Sequence, residues 1–397
     1  MKTLIARKIK QLREANQYTQ EEISRLLGID RSKLSQVENG KLRVSNEELY
    51  RISRFFGQPL DYFFEEDIKP NKNLLFFRAK GDLNEDDFVH VKQCQEIAVS
   101  FTELEELVFE EEPRPSFRTY SPPPEMHYAS VAKAVAKRER SILNLGPKDQ
   151  VPLRTILNKQ GILVLEVPFQ SETLDGFFFI HEKQPIVIAN THEKNPFSRN
   201  FVIAHELAHV LLDSSNYSLF CHSIFEESQV ILEKRANSFA NEFLLPEEGL
   251  DIYFSELKYK KGREEVQKFD LYRLIDHFQL SREIIVNRLF HTGWISEKQR
   301  ESFLGILGIA KDMERLGLRN EYTRYYIEKK NEQRSSTYTI FDMLPDRYKD
   351  LARLAYMRSK ITFSKLCEYL FLPKDEVSSL FGIEKREPSM EEVLGAS

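Results

Sequence analysis

Five consecutive residues, His205-Glu206-Leu207-Ala208-His209, restrict this chain more than any other stretch. On an α-helix, residues i and i+4 share one face, so this spacing aims both imidazoles at one point. Glu206 follows His205 by about 100° around the helix, near enough to address the same point. The flanks favour a helix: Phe201, Val202, Ala204, Leu207, Ala208 and Leu211 are apolar, and no proline interrupts them. Two histidines and a glutamate turned into an apolar surround are costly unless they bind something or do chemistry. The pattern predicts two ligands of a metal ion with a general base beside them.

A hydrolytic zinc site takes three protein ligands and keeps its fourth position open. The best candidate for the third is Glu233, on a helix predicted over 226–245 and stopped by Pro246. Asn237 lies one turn further on the same face, where it can hydrogen-bond a ligating histidine and fix its tautomer. For an oxyanion-stabilising group the sequence offers only His222 and Tyr217, and does not choose between them. Upstream, 161–165, 176–180 and 185–189 read as strands, the last two joined as a hairpin. An edge strand near 185–190 is expected to hold an extended peptide by strand addition. Asn195 and Pro196 predict the start of the motif helix, as cap and first helical residue.

The first 60 residues read as short helices. Leu4, Ile5, Ile9 and Leu12 recur at helical spacing. Thr19 and Glu22 form a capping-box pattern ahead of Ile23, Leu26 and Leu27. Gly28 ends that helix, Asp30 caps the next, and Asn39-Gly40 closes it. Ser45 opens another helix, carrying Leu49, Ile52 and Phe56. Two short helices joined by a glycine turn, the second polar on one face, make a helix-turn-helix pattern, whose second helix enters the DNA major groove. That face offers Arg31, Ser32, Lys33, Ser35 and Gln36, which can donate to base edges. Gln20 is placed to brace a phosphate, and Lys41 and Arg43 to neutralise others. Residues 1–60 hold 12 Lys/Arg against 7 Asp/Glu, in a chain whose net charge is -5. A local basic patch is therefore the expected nucleic-acid footprint.

Both regions carry a family resemblance. The segments 18–24, 27–35 and 37–41 resemble the XRE family of phage-repressor-like regulators, over residues 1 to about 66. His205-Glu206-Leu207-Ala208-His209, then Glu233-x-x-Ala236-Asn237-x-Phe239-Ala240 and Phe243-Leu-Leu-Pro246, resemble the ImmA/IrrE metallopeptidases over about 125–250. Asp175-Gly176-Phe177, Ile186–Asn190 and Arg199 add to that match. Ala208 stands where the family often has glycine. The resemblance implies that His205, His209 and Glu233 bind Zn²⁺, with Glu206 as general base for peptide hydrolysis. It also implies a double-stranded DNA operator and a protein substrate such as a repressor. Regulators of this class dimerise on palindromic half-sites, so a homodimer is an open expectation. The alternative is a DNA-binding regulator or antitoxin-like component whose metal domain is a sensor or scaffold without protease activity.

The rest of the chain bounds this reading. At roughly 150 residues per domain, 397 residues suggest about two to three domains. A composition 41% hydrophobic and 30% charged fits a folded soluble protein. No apolar run is long enough for a transmembrane helix, so no membrane partner is expected, and the N-terminus lacks the pattern of a secretory signal. Cys94, Cys221 and Cys367 are too few and too far apart for a disulfide framework or a cysteine zinc ribbon, which suits a reducing cytoplasm. The expected fold is multidomain. An all-α helix-turn-helix domain (1–66) is followed by a connector (67–124), partly helical, acidic and then proline-rich. An α+β zincin-like metallopeptidase domain (125–260) leads into a helical C-terminal extension (261–397). The acidic run 103–112 is expected to be a solvated helix end, and 113–124 a stiff link. The segment 361–377 faintly suggests another helix-turn-helix.

Overall fold

The computed structural model describes residues 2–15, 19–56, 60–64, 84–109, 117–123, 126–172, 174–181, 184–192, 196–213, 226–262, 265–318 and 339–381. The chain divides into two compact units, one of residues 1–92 with 115–336, the other of 93–114 with 337–397. The architecture is multidomain and mostly helical, with one small mixed sheet. Among the described residues no helix is long and apolar enough to cross a membrane.

The N-terminal helices are α1 (Lys2–Ala15), α2 (Gln20–Leu27), α3 (Arg31–Glu38) and α4 (Asn46–Phe55), followed by a 3-10 turn at Leu60–Phe63. Ile9, Leu12, Ile23, Leu34, Ile52 and Phe56 meet in one core, as their spacing predicts. Gly28 takes φ +61°, a conformation that glycine adopts without penalty, and this breaks α2 from α3. Asp30 caps α3 by accepting the Lys33 amide at 2.9 Å. Ser45 and Glu48 cap α4 reciprocally, each side chain accepting the other's backbone N–H.

The sheet region begins after α5 (Glu85–Phe109), α6 (Tyr128–Ile142) and α7 (Leu153–Lys159). Its strands are β1 (Leu163–Val167), β2 (Gly176–His181) and β3 (Gln184–Asn190). The order is β1-β3-β2. β1 runs parallel to β3, with Leu163 opposite Ile186, and β2 antiparallel, with Phe177 opposite Ile188. β3 is therefore central, which corrects the expectation of an edge near 185–190. Its unbroken buried run, Pro185–Asn190, is the pattern of a strand covered on both sides. The outer strands are β1 and β2.

Two helices cover this sheet region: α8 (Pro196–Leu212), which packs on β3 and β2, and α9 (Glu226–Leu244), which packs on α8 and α6. Asn195, the expected cap of α8, lies outside the described residues. Gly176 lets α8 approach: a Cβ there would stand 2.5 Å from Val202 Cγ1 and 2.6 Å from the Ile188 carbonyl oxygen. The core continues through α10 (Glu247–Glu256), α11 (Lys268–Phe278), α12 (Arg282–His291), α13 (Glu297–Leu304) and α14 (Ile309–Arg315). Part of the proline-rich stretch is not a bare link: the Tyr120 amide donates to the Leu211 carbonyl at 2.7 Å, and Phe117 and Tyr120 pack on the core.

The second unit comprises residues 93–109 of α5, with α15 (Ile340–Met343), α16 (Asp346–Met357), α17 (Phe363–Leu370) and α18 (Lys374–Phe381). The acidic run expected to be solvated is partly built into it. Glu105 is buried and pairs with Arg347, and Glu103 accepts the Tyr369 hydroxyl at 3.0 Å.

Candidate functional site

α8 presents His205 and His209 one turn apart, with Nε2 atoms 3.2 Å from each other. Glu233, on α9, places one carboxylate oxygen 3.3 Å from His205 Nε2 and the other 3.8 Å from His209 Nε2. One donor atom from each residue thus falls in a cluster less than 4.8 Å across. The structure brings together the three residues that the sequence singles out.

The outward nitrogens of both rings are also held. His205 Nδ1 lies 3.0 Å from Asn237 Oδ1. His209 Nδ1 lies 2.7 Å from Asp213 Oδ2, and the other oxygen of Asp213 takes the Arg235 guanidinium. With an acceptor at each Nδ1, the neutral rings carry their protons there and turn Nε2 lone pairs inward. Two lone pairs facing each other at 3.2 Å repel, and a cation between them removes the repulsion. Two imidazoles and a carboxylate suit zinc and similar divalent ions, so the residues present fit a metal.

Asp213 is a residue of the candidate site that sequence reasoning missed. It closes a stripe begun by His205 and His209, just past the end of α8. A carboxylate opposes the helix dipole at that end, and this was the available signal that it has a partner.

Glu206 is nearly buried beside the cluster. Burial pushes its carboxyl above the usual range, while His209 and His205 pull against the rise. His205 is pulled down by burial, but its bond to Glu233 and the charges of Glu206 and Glu233 outweigh that, and the net shift is upward. From β2, Phe178 stacks on the His209 ring, with centroids 6.2 Å apart. Arg199 pairs with Glu166 of β1 at 2.7 Å, bracing the start of α8 against the sheet. His222 and Tyr217 lie outside the described residues.

In the N-terminal domain, Arg31, Ser32 and Gln36 are exposed on α3, and Lys41 is exposed just beyond it; Ser35 is half-buried. Two expected contacts sit elsewhere. Lys33 turns to Glu48 of α4. The Gln20 amide donates to Glu38 at 2.7 Å, and Glu38 also takes Arg13 at 2.6 Å, so this trio ties α1, α2 and α3 together.

Fold and site define a helix-turn-helix domain joined to a peptidase-like domain. Residues 9–63 match the Helix-turn-helix family model. Residues 157–290 match a peptidase family model described as the IrrE N-terminal-like domain. Over 62 residues the chain is 31% identical to an uncharacterized transcriptional regulator in the ATPase CF(0) region of Rhodospirillum rubrum; the match covers 16% of this chain and 57% of that relative. The chain thus carries an XRE-type helix-turn-helix segment and an IrrE/ImmA-like segment.

Proposed function

We propose that this chain is a cytoplasmic, sequence-specific DNA-binding regulator, reading double-stranded DNA through residues 1–66. We further propose that residues 125–260 form a zinc peptidase that cleaves a regulatory protein such as a repressor. The convergence of His205, His209 and Glu233 carries this reading. Donors bound to one tetrahedral zinc at about 2.0–2.2 Å stand roughly 3.3–3.6 Å apart; here the two imidazole Nε2 atoms are 3.2 Å apart, and Glu233 brings one oxygen to 3.3 Å from His205 and its other oxygen to 3.8 Å from His209. Those three residues would hold the ion.

Bound zinc supplies a Lewis acid that polarises the scissile carbonyl and acidifies water. Glu206 supplies the base. Its carboxylate takes a proton from the attacking water and returns it to the leaving amine nitrogen. Burial raises its proton affinity, which suits it to both halves of that transfer. Asn237 and Asp213 hold the two rings by Nδ1. We place an extended substrate along the outer strand β2, beside α8, rather than along β3. On α3, Arg31, Ser32 and Gln36 face the bases, while Lys41 approaches a phosphate.

The test pairs zinc content with cleavage. Wild type should purify with about one zinc per chain, as one three-ligand site requires, and His205→Ala and Glu233→Ala should lose it. Glu206→Gln should keep zinc and DNA binding, yet lose cleavage of the regulator's partner repressor by roughly a hundredfold or more. An unchanged regulatory phenotype in Glu206→Gln would favour a metal-bound scaffold without protease activity.

A further inference from the structure

The C-terminal unit repeats the frame of the N-terminal DNA-reading domain. One shift in numbering, the shift that carries Thr19 to Thr362, superposes the two helix patterns. It carries α2 onto α17 and α3 onto α18, each pair of equal length. It carries Ile9 and Leu12 of α1 to Ala352 and Ala355 of α16. Ile23, Leu27 and Leu34 go to Leu366, Leu370 and Val377. All ten are buried.

The turn matches as closely. Gly28 has φ +61° and its counterpart Phe371 has φ +53°. The Ile29 amide donates to the Ser24 carbonyl at 2.9 Å, and the Leu372 amide to the Cys367 carbonyl at 3.2 Å. Phenylalanine is costly in the left-handed region, so the packing around this turn imposes the conformation. The patterns part at the end of the second helix, where Val37 is buried and its counterpart Leu380 is 54% exposed.

The outward positions decide what the frame can do. Arg31, Ser32 and Gln36 correspond to Lys374, Asp375 and Ser379, and all six are exposed. A third left-handed turn, at Gln279 between α11 and α12, serves as a control. There the counterparts of Arg31 and Gln36 are half-buried and bonded to later parts of the chain, whereas Arg31 and Gln36 are exposed and meet Glu21 at 3.8 Å and Ser32 at 3.4 Å. Arg282 donates to the Ile306 carbonyl at 2.6 Å, and Asn287 accepts Arg300 at 2.8 Å.

We infer that α16, α17 and α18 form a second helix-turn-helix, with α18 as a second reading helix for double-stranded DNA. The inference rests on the DNA-reading role proposed for residues 1–66. Lys374 can donate to guanine, Asp375 can accept from the cytosine amino group, and Ser379 can serve either base, so G·C-containing steps fit this face. The described residues of this unit hold 10 Asp/Glu against 7 Lys/Arg, the reverse of residues 1–60. Its phosphate attraction is therefore weak, and its contribution is discrimination between sequences rather than bulk affinity.

The test selects bound sequences from a pool of random-sequence duplex DNA with the full chain, wild type and two double variants. Wild type should enrich two motifs. Lys374→Ala with Ser379→Ala should deplete one by roughly fivefold or more, the size of a lost base contact. Arg31→Ala with Gln36→Ala should deplete the other. Both pairs are exposed, so melting temperatures should match wild type. A single motif, lost only with Arg31 and Gln36, overturns this inference and leaves the first reading standing. A second motif that persists in the Lys374/Ser379 variant also overturns it, as expected if α18 faces a protein. Enrichment of no motif refutes both.

Discussion

Asp213→Asn isolates what a buried carboxylate adds to the proposed metal centre without touching a proposed ligand. Asp213 is only 3% exposed and serves two donors, His209 Nδ1 at 2.7 Å and the Arg235 guanidinium. Asparagine keeps the shape but has one acceptor oxygen where two are needed, so an N–H of the amide must face either the imidazole or the guanidinium. Losing the partner that orients a ligating histidine costs roughly 10- to 100-fold in metal affinity, or about 1.4–2.8 kcal/mol. Asn237 does the corresponding job for His205, but it is neutral and exposed. Hydrogen bonds to charged groups are roughly twice as strong as neutral ones. Asn237→Ala should therefore lose about tenfold or less. Competition titration of zinc against a chelating dye, near neutral pH, measures both. Melting of the metal-free proteins separates affinity from folding, since Arg235 loses its carboxylate in Asp213→Asn. A zinc Kd for Asp213→Asn within about threefold of wild type, or a larger loss in Asn237→Ala, would refute the argument.

Four further substitutions test the fold and the two sites. Gly176→Ala forces a methyl against Val202 and the Ile188 carbonyl; overpacking of this kind costs about 1–3 kcal/mol and should appear as a lower unfolding midpoint. Burial pushes the Glu48 carboxyl up, but Lys33 and the Ser45 N–H and hydroxyl outweigh it, so its pKa lies below the ordinary glutamate value of 4.5. A depressed carboxylate pKa stabilises the fold above the unfolded value and loses that stability as pH falls through the folded one. Glu48→Gln should therefore be less stable than wild type at neutral pH by about 1 kcal/mol, as for a lost helix cap. Denaturant titrations at several pH values should show the gap closing below pH 4.5. Finally, Arg31→Ala should weaken DNA binding in fluorescence anisotropy with little change in melting, whereas Lys33→Ala should lower the melting temperature more than the affinity.

Much of the candidate metal site was legible because it obeys local periodicity. The i, i+4 rule joins His205 to His209, and it joins Glu233 to Asn237 on the following helix. What the sequence withheld depends on partners far along the chain. Lys33 reads as a surface cation on a polar helix face, and only the packing of α4 on the domain brings Glu48 to it. Gln20 is drawn inward by Glu38 and Arg13 in the same way. The acidic run around Glu105 looks solvated until Arg347, distant in sequence, pairs with it.

The strand order shows a signal that was present and outweighed. A hairpin of two apolar strands suggests two neighbours with an open side, and the sequence alone points to 185–190 as the open one. Yet Ile186-Val187-Ile188-Ala189 is apolar at every position, which a strand with a solvated face does not tolerate. β2 is more mixed: Phe179 is buried while Phe177 and Phe178 are half-buried, so its faces are unequally covered. That asymmetry is what an outer strand shows, and Phe178 lies on the His209 ring. If the substrate adds to the sheet beside the His209 ring, β2 is the outer strand that takes it. Proline at Phe178 or Ile180 should impair strand addition there, since proline removes a ladder N–H, whereas proline at Val187 or Ile188, in the middle of β3, should unfold the sheet before any effect on cleavage can be read.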